Sequence, residues 1–101
     1  MAYSLLISDK ADRDVDAILN YIAVELANPQ AAAALLDRLS ACYDRLEQNP
    51  MLYALTAHPL FHALGIHKAP IGGYGVFYRV EGTDVHIIRV LSDLETIEGR
   101  L

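Results

Sequence analysis

The sequence has one cysteine, Cys42, no tryptophan and no long apolar run. A lone cysteine cannot close an internal disulfide and fits a reducing compartment, so a stapled secreted scaffold is excluded. The longest hydrophobic stretches, such as Val85 to Leu91, are interrupted by His86 and Arg89. None approaches the roughly 20 residues that span a bilayer, so no membrane partner is expected. Met1 leads directly into a strand-like segment, without the basic start or cleavage site of a secretory leader, which points to the cytosol. Positive charge is also scarce. Eight Lys and Arg stand against 13 Asp and Glu, a net charge of −5, whereas a protein that grips phosphates usually carries a basic field.

What the chain does have is core material: 53% of its 101 residues are hydrophobic, enough for one domain with its own core. Its charge is unevenly spread. Residues 1–57 carry four basic and eight acidic side chains, while residues 58–91 carry Lys68, Arg79 and Arg89 against Glu81 and Asp84, plus all four histidines. The spacing predicts a first strand over Tyr3 to Ser8, then a helix capped by Ser8 or Asp9 with aspartates crowding its start. Ala11, Val15, Ile18, Leu19, Ile22 and Leu26 form its apolar stripe. Asn28-Pro29 ends that helix and starts another, with the stripe Ala32, Leu35, Leu36, Leu39, Tyr43 and Leu46, which stops before Asn49-Pro50. Met51 to Gly65 shows no period and reads as a loop with room for a short helical turn.

Three strand candidates follow: Ile66 to Ile71, Tyr74 to Glu81 and Val85 to Leu91, joined by Gly72-Gly73 and Gly82-Thr83. Both dipeptides suit two-residue hairpin turns. The order β-α-α-β-β-β describes an α+β domain, an antiparallel sheet with a helical hairpin on one face. Counting back from the turns pairs Arg79 with His86, Phe77 with Ile88, Lys68 with Phe77 and His67 with Tyr78. Alternation then gives an open face of Lys68, Gly75, Phe77, Arg79, His86, Ile88 and Val90. The helix-facing side holds Ala69, Ile71, Tyr74, Val76, Tyr78, Val80, Val85, Ile87 and Leu91, with His67 and Arg89 as polar exceptions. Tyr74 and Tyr78 are expected to pack, and Arg89 to pair with an aspartate of the first helix.

The cluster Lys68, Arg79 and His86 admits two readings. It is a patch for phosphates or a partner's carboxylates, or it is an ordinary solvated face neutralised by Glu81 and Asp84. His58 and His62 stand four apart, but Pro59 between them and the missing further ligands argue against a metal. Cys42 falls beside a buried stripe and reads as a small core residue rather than a nucleophile. No cofactor is implied.

Ala11 to Asp14 at the helix start, Tyr21-Ile22, Pro29 with its alanines, the strand Tyr74-Gly-Val-Phe-Tyr-Arg-Val80, and Val85-His-Ile-Ile-Arg-Val90 follow one another along nearly the whole chain. In the order and spacing of these pieces the chain resembles the RelE/ParE superfamily of toxins from type II toxin–antitoxin systems. The resemblance implies a cognate antitoxin, hence a hetero-oligomer, and one of two activities. RelE-like members cleave messenger RNA on the ribosome with cations on the open sheet face and a C-terminal tyrosine or similar group. ParE-like members share the fold, lack that set and poison DNA gyrase. Lys68 matches one ribonuclease lysine. The other expected positions fall on Ile66, Gly75 and a residue near Asp93, and no tyrosine follows Leu91. The basic run expected after the last strand is replaced by Ser92-Asp-Leu-Glu-Thr-Ile-Glu98. The resemblance therefore favours a ParE-like toxin over a ribonuclease, and leaves open a non-toxic binding module. Lys68, Phe77, Arg79, His86 and Ile88 are the expected antitoxin or target contacts, and Lys68, Arg79 and His86 the only catalytic candidates.

Overall fold

The computed structural model describes residues 2–93. Strand β1 (Ser4–Ile7) is followed by helix α1 (Asp9–Asn20), which runs on into a wide turn of π-helix at Tyr21–Glu25. Helix α2 (Pro29–Gln48), a 3-10 turn at Pro50–Leu52 and the short α3 (Pro59–Ala63) lead to β2 (Ile66–Pro70), β3 (Tyr74–Glu81) and β4 (Asp84–Ser92). The sheet order is β1-β4-β3-β2. The meander is antiparallel as expected, but β1 lies parallel to β4, so the sheet is mixed.

Local chemistry explains the boundaries. Ser8 Oγ accepts the Ala11 N–H at 3.0 Å, and Asp9 and Asp12 sit in the first turn, where the helix dipole favours them. Asn28 caps α2 through Ala31 N, with Pro29 in the first turn. The first helix departs from its expected stripe at its end. Leu26 N bonds Tyr21 O across the wider turn, and the extra residue carries Leu26 off the buried face, leaving it 56% exposed. Ala27 then closes the turn at φ 50°, in the left-handed region that glycine usually fills.

The main core lies between the hairpin and the sheet: Leu35, Leu39, Cys42 and Leu46 from α2 meet Ala69, Ile71, Val76, Tyr78, Val85, Ile87 and Val90. Leu46 is completely buried, and truncating such a residue to alanine costs about 2–5 kcal/mol.

The turn chemistry holds: Gly72 and Gly73 both have positive φ, and so does Gly82. Arg79 pairs with His86, Lys68 with Phe77 and His67 with Tyr78, as counted. Beyond Tyr78–Ile87 the count fails, because Phe77 pairs with Arg89 and not Ile88. Ile88 is the extra residue of a β-bulge, which reverses the face of everything after it. Val90, expected on the open face, is instead in the main core. Leu91, expected on the helix side, joins Phe61, Ile66 and Phe77 in a second small cluster on the other face, with Ile88 packed against it. The bulge is held from α1. Ser8 Oγ donates to Ile88 O at 2.8 Å, and Asp14 Oδ2 accepts Val90 N at 3.1 Å. Two backbone groups beside the irregularity thus find partners on side chains.

The two outer edges differ. Thr56 N bonds Ile66 O and Lys68 N bonds Ala54 O, so the segment before α3 covers the start of β2. The next outward-pointing position is Pro70, which has no N–H to offer. At the opposite edge, β1 is largely exposed, with Leu6 at 45% and Ile7 at 38%.

Candidate functional site

Lys68, Arg79 and His86 lie on β2, β3 and β4 on the sheet face away from the helical hairpin; Arg79 is opposite His86, while Lys68 is opposite Phe77 and reaches toward the other end of the sheet. Each has a carboxylate in reach. Lys68 Nζ stands 3.3 Å from Asp93 Oδ1. Arg79 pairs with Glu81 Oε1, and His86 Nε2 lies 3.8 Å from Oε2 of the same carboxylate. Glu81 therefore engages Arg79 with one oxygen and faces His86 with the other. Asp93, and not the expected Asp84, is the second counter-ion.

Gly75 shapes this arrangement. A Cβ there would lie 2.7 Å from Lys68 Cε, so the lysine stem runs flat across the glycine toward Asp93. Its ammonium is 5.9 Å from the centre of the Phe77 ring. Phe77 is itself 7% exposed, a wall of the second cluster that supports Lys68, while Ile88 is half-buried against the same cluster.

The residues read as structural take structural places. Arg89 and Asp14 form a bidentate pair, with Nε and Nη2 each 2.7 Å from a carboxylate oxygen. Tyr78 is fully buried and donates to Pro50 O at 2.6 Å, and burial pushes its phenol well above the ordinary range. Tyr74 packs against the main core. His67 stacks on Tyr78 at 4.9 Å, and its Nδ1 lies 2.8 Å from Tyr53 O. A carbonyl can only accept, so Nδ1 holds the proton.

The remaining candidates are occupied otherwise. His58 Nδ1 accepts Leu60 N and caps α3, while His62 Nδ1 faces Thr56 O at 3.3 Å. Among the described residues no three His, Cys, Asp or Glu side chains gather as a metal site. Burial raises the Cys42 thiol pKa, which disfavours the nucleophilic thiolate. No helix among the described residues is long and apolar enough to cross a membrane. The acidic stretch of residues 94–98, noted in the sequence for its missing basic run, lies outside the described residues.

Sequence reasoning missed the double role of Ser8 and the strand-like course of residues 53–56. Neither has a periodic signal: Ser8 is held by Ile88 O, 80 residues away, and the strand-like segment by the backbone of Ile66 and Lys68.

The fold, a helical hairpin on a four-stranded mixed sheet, is shared with chains of two solved toxin–antitoxin structures. A chain of the chromosomal ParDE TA system from P. aeruginosa superposes with a TM-score of 0.71 at 23% identity, covering 90% of this chain and 96% of that one. A chain of the toxin–antitoxin complex RelBE2 from Mycobacterium tuberculosis gives a TM-score of 0.63 at 22% identity, over 91% and 99% of the two chains. Toxin RelE1 of Caulobacter vibrioides is 30% identical over 97 residues, 94% of this chain and 98% of that protein. The family model described as "ParE toxin of type II toxin-antitoxin system, parDE" matches residues 5–96, and the chain belongs to this family, within the RelE/ParE superfamily.

Proposed function

We propose that this chain is a ParE-type toxin, silenced by a cognate antitoxin and directed at DNA gyrase in the cytoplasm, rather than a ribosome-dependent ribonuclease. One observation carries this reading: among the described residues, the open-face cations Lys68 and Arg79 are each matched to a carboxylate of the same face. Cleavage of RNA needs cations that steady charge developing on phosphate, and a group that moves the 2′-oxygen proton. Here Lys68 and Arg79 are engaged by Asp93 and Glu81, and His86 faces the other oxygen of Glu81.

Two surfaces suit an antitoxin. The free edge of β1 offers the outward N–H groups of Leu5 and Ile7 to an added strand. A small apolar recess lined by Val15, Leu19, Leu36, Ile71 and Tyr74 suits the tip of one apolar side chain of a docked helix. Lys68, Arg79, His86 and Ile88 supply a third contact area, backed by Phe77.

A second reading draws on the same cluster. Three ionisable side chains on adjacent strands are the raw material of a ribonuclease in which His86 is acid or base and Arg79 steadies the phosphate. Induced expression separates the readings, with growth, messenger RNA integrity and the DNA-damage response followed together. The expected outcome is arrest with DNA damage and intact messages, retained by the Lys68→Ala/Arg79→Ala/His86→Ala variant. Cleaved messages, lost in that variant, would establish the ribonuclease, and no arrest at high expression would leave a binding module without toxicity.

A further inference from the structure

The cations of the open face are held by acids whose positions are set by the fold. Asp93 is placed by the bulge. Without the extra residue Ile88, alternation along β4 would turn Asp93 toward the helices; with it, Asp93 faces Lys68. Its backbone is also fixed, since Asp93 N donates to Gly73 O at 3.0 Å. Gly75 leaves the channel along which the lysine stem reaches it. Glu81 ends β3, where one oxygen takes Arg79 and the other faces His86.

We infer that Glu81 and Asp93 are specificity determinants that exclude RNA from this face, acting as built-in counter-ions to Lys68 and Arg79. Affinity for a nucleic acid strand comes largely from releasing ions condensed on its phosphates when protein cations take their place. A cation already compensated by a fixed carboxylate releases little. An approaching phosphate also meets the carboxylate's like charge at the same spot. The face keeps the cations an RNA strand needs but not a net positive field. This deepens the ParE-type reading by naming what keeps the face from RNA. It is tested by binding in vitro, so its failure is distinguishable from an error about the cellular target.

The test is fluorescence anisotropy of a short mixed-sequence single-stranded RNA with the purified full chain across a salt series. The Glu81→Gln/Asp93→Asn variant is expected to bind about tenfold more tightly than the parent at low salt, with a log–log salt slope of about −1.4 for the two cations released. Asp16→Asn/Asp37→Asn makes the same change in net charge on exposed positions of the helices and is expected to leave binding at the parent level. Adding Lys68→Ala/Arg79→Ala to the first variant is expected to erase the gain. An equal gain in the helix control, or a gain that survives loss of the cations, overturns the inference. So does the absence of any gain in a variant whose melting curve is that of the parent. Should the double variant not fold, Asp93→Asn alone, at a half-exposed strand end, is expected to show part of the gain, and its absence there is equally decisive.

Discussion

Asp14 and Arg89 lie 75 residues apart in sequence and meet in a bidentate ion pair between α1 and β4, both contacts at 2.7 Å. The side chains are only 11% and 9% exposed, and Asp14 also accepts the backbone N–H of Val90. One carboxylate thus neutralises a buried guanidinium and satisfies a backbone donor beside the bulge. Removing Arg89 takes this partner from the buried Asp14 carboxylate, and removing Asp14 takes two hydrogen bonds from the guanidinium and one from Val90 N. Asp14→Ala or Arg89→Ala is expected to cost about 3–5 kcal/mol in urea unfolding. Asp14→Leu/Arg89→Met together is expected to recover most of that loss. A double variant as unstable as the worse single one would mean that the pair contributes more than mutual neutralisation.

Ala27 is a site of strain that can be relieved. Its φ of 50° is unfavourable for any residue with a Cβ. Ala27→Gly is expected to raise stability by about 1 kcal/mol, the steric relief exceeding the added flexibility of the unfolded chain. Thermal melting reads this directly, and an unchanged or lowered midpoint would show that the turn is not strained.

Tyr43 gives the fold an alkaline limit. Burial first, then the nearby Asp12 carboxylate, raises its phenol from the ordinary value of 10.0 to about 12. The folded state therefore holds the proton that the unfolded chain releases near pH 10. Its stabilising contribution is complete below about pH 10 and is lost as pH rises through about 12. In denaturation series, Tyr43→Phe is expected to weaken the alkaline fall in stability across this window; an identical fall in both proteins would place its cause elsewhere.

The antitoxin complex should depend weakly on salt. The toxin is acidic, and the surfaces proposed for its partner are a small apolar recess and a strand edge. Interfaces built on apolar burial and backbone pairing are screened little by ions. Affinity is expected to stay within about tenfold between low and high salt, and a steep loss would reassign the interface to the charged face.

How much of this was legible in the sequence follows how local each cause is. The hairpin turns depend on Gly72, Gly73 and Gly82, each readable in place, so Lys68, Arg79 and His86 could be gathered on one face by counting. The two helices were equally plain in Asn28-Pro29 and the apolar stripes. The bulge was not, because Ser8 and Asp14 hold it from 80 and 76 residues away. That hidden residue also concealed Asp93 as the partner of Lys68, and it exchanged the faces of Val90 and Leu91. The burial of Phe77 was obscured for a related reason, since Phe61 and Leu91 join it from segments that the pattern assigned elsewhere.

The unequal edges limit how copies of this chain can assemble. Strand-by-strand growth into an open fibre requires a donor edge and an acceptor edge on every molecule. Residues 54–56 and Pro70 close the β2 side, so the described sheet can be extended only at β1. Two copies joining through that strand would make a closed pair with no edge left to propagate. A partner's strand in the same place would end growth as well, so the sheet admits a single guest.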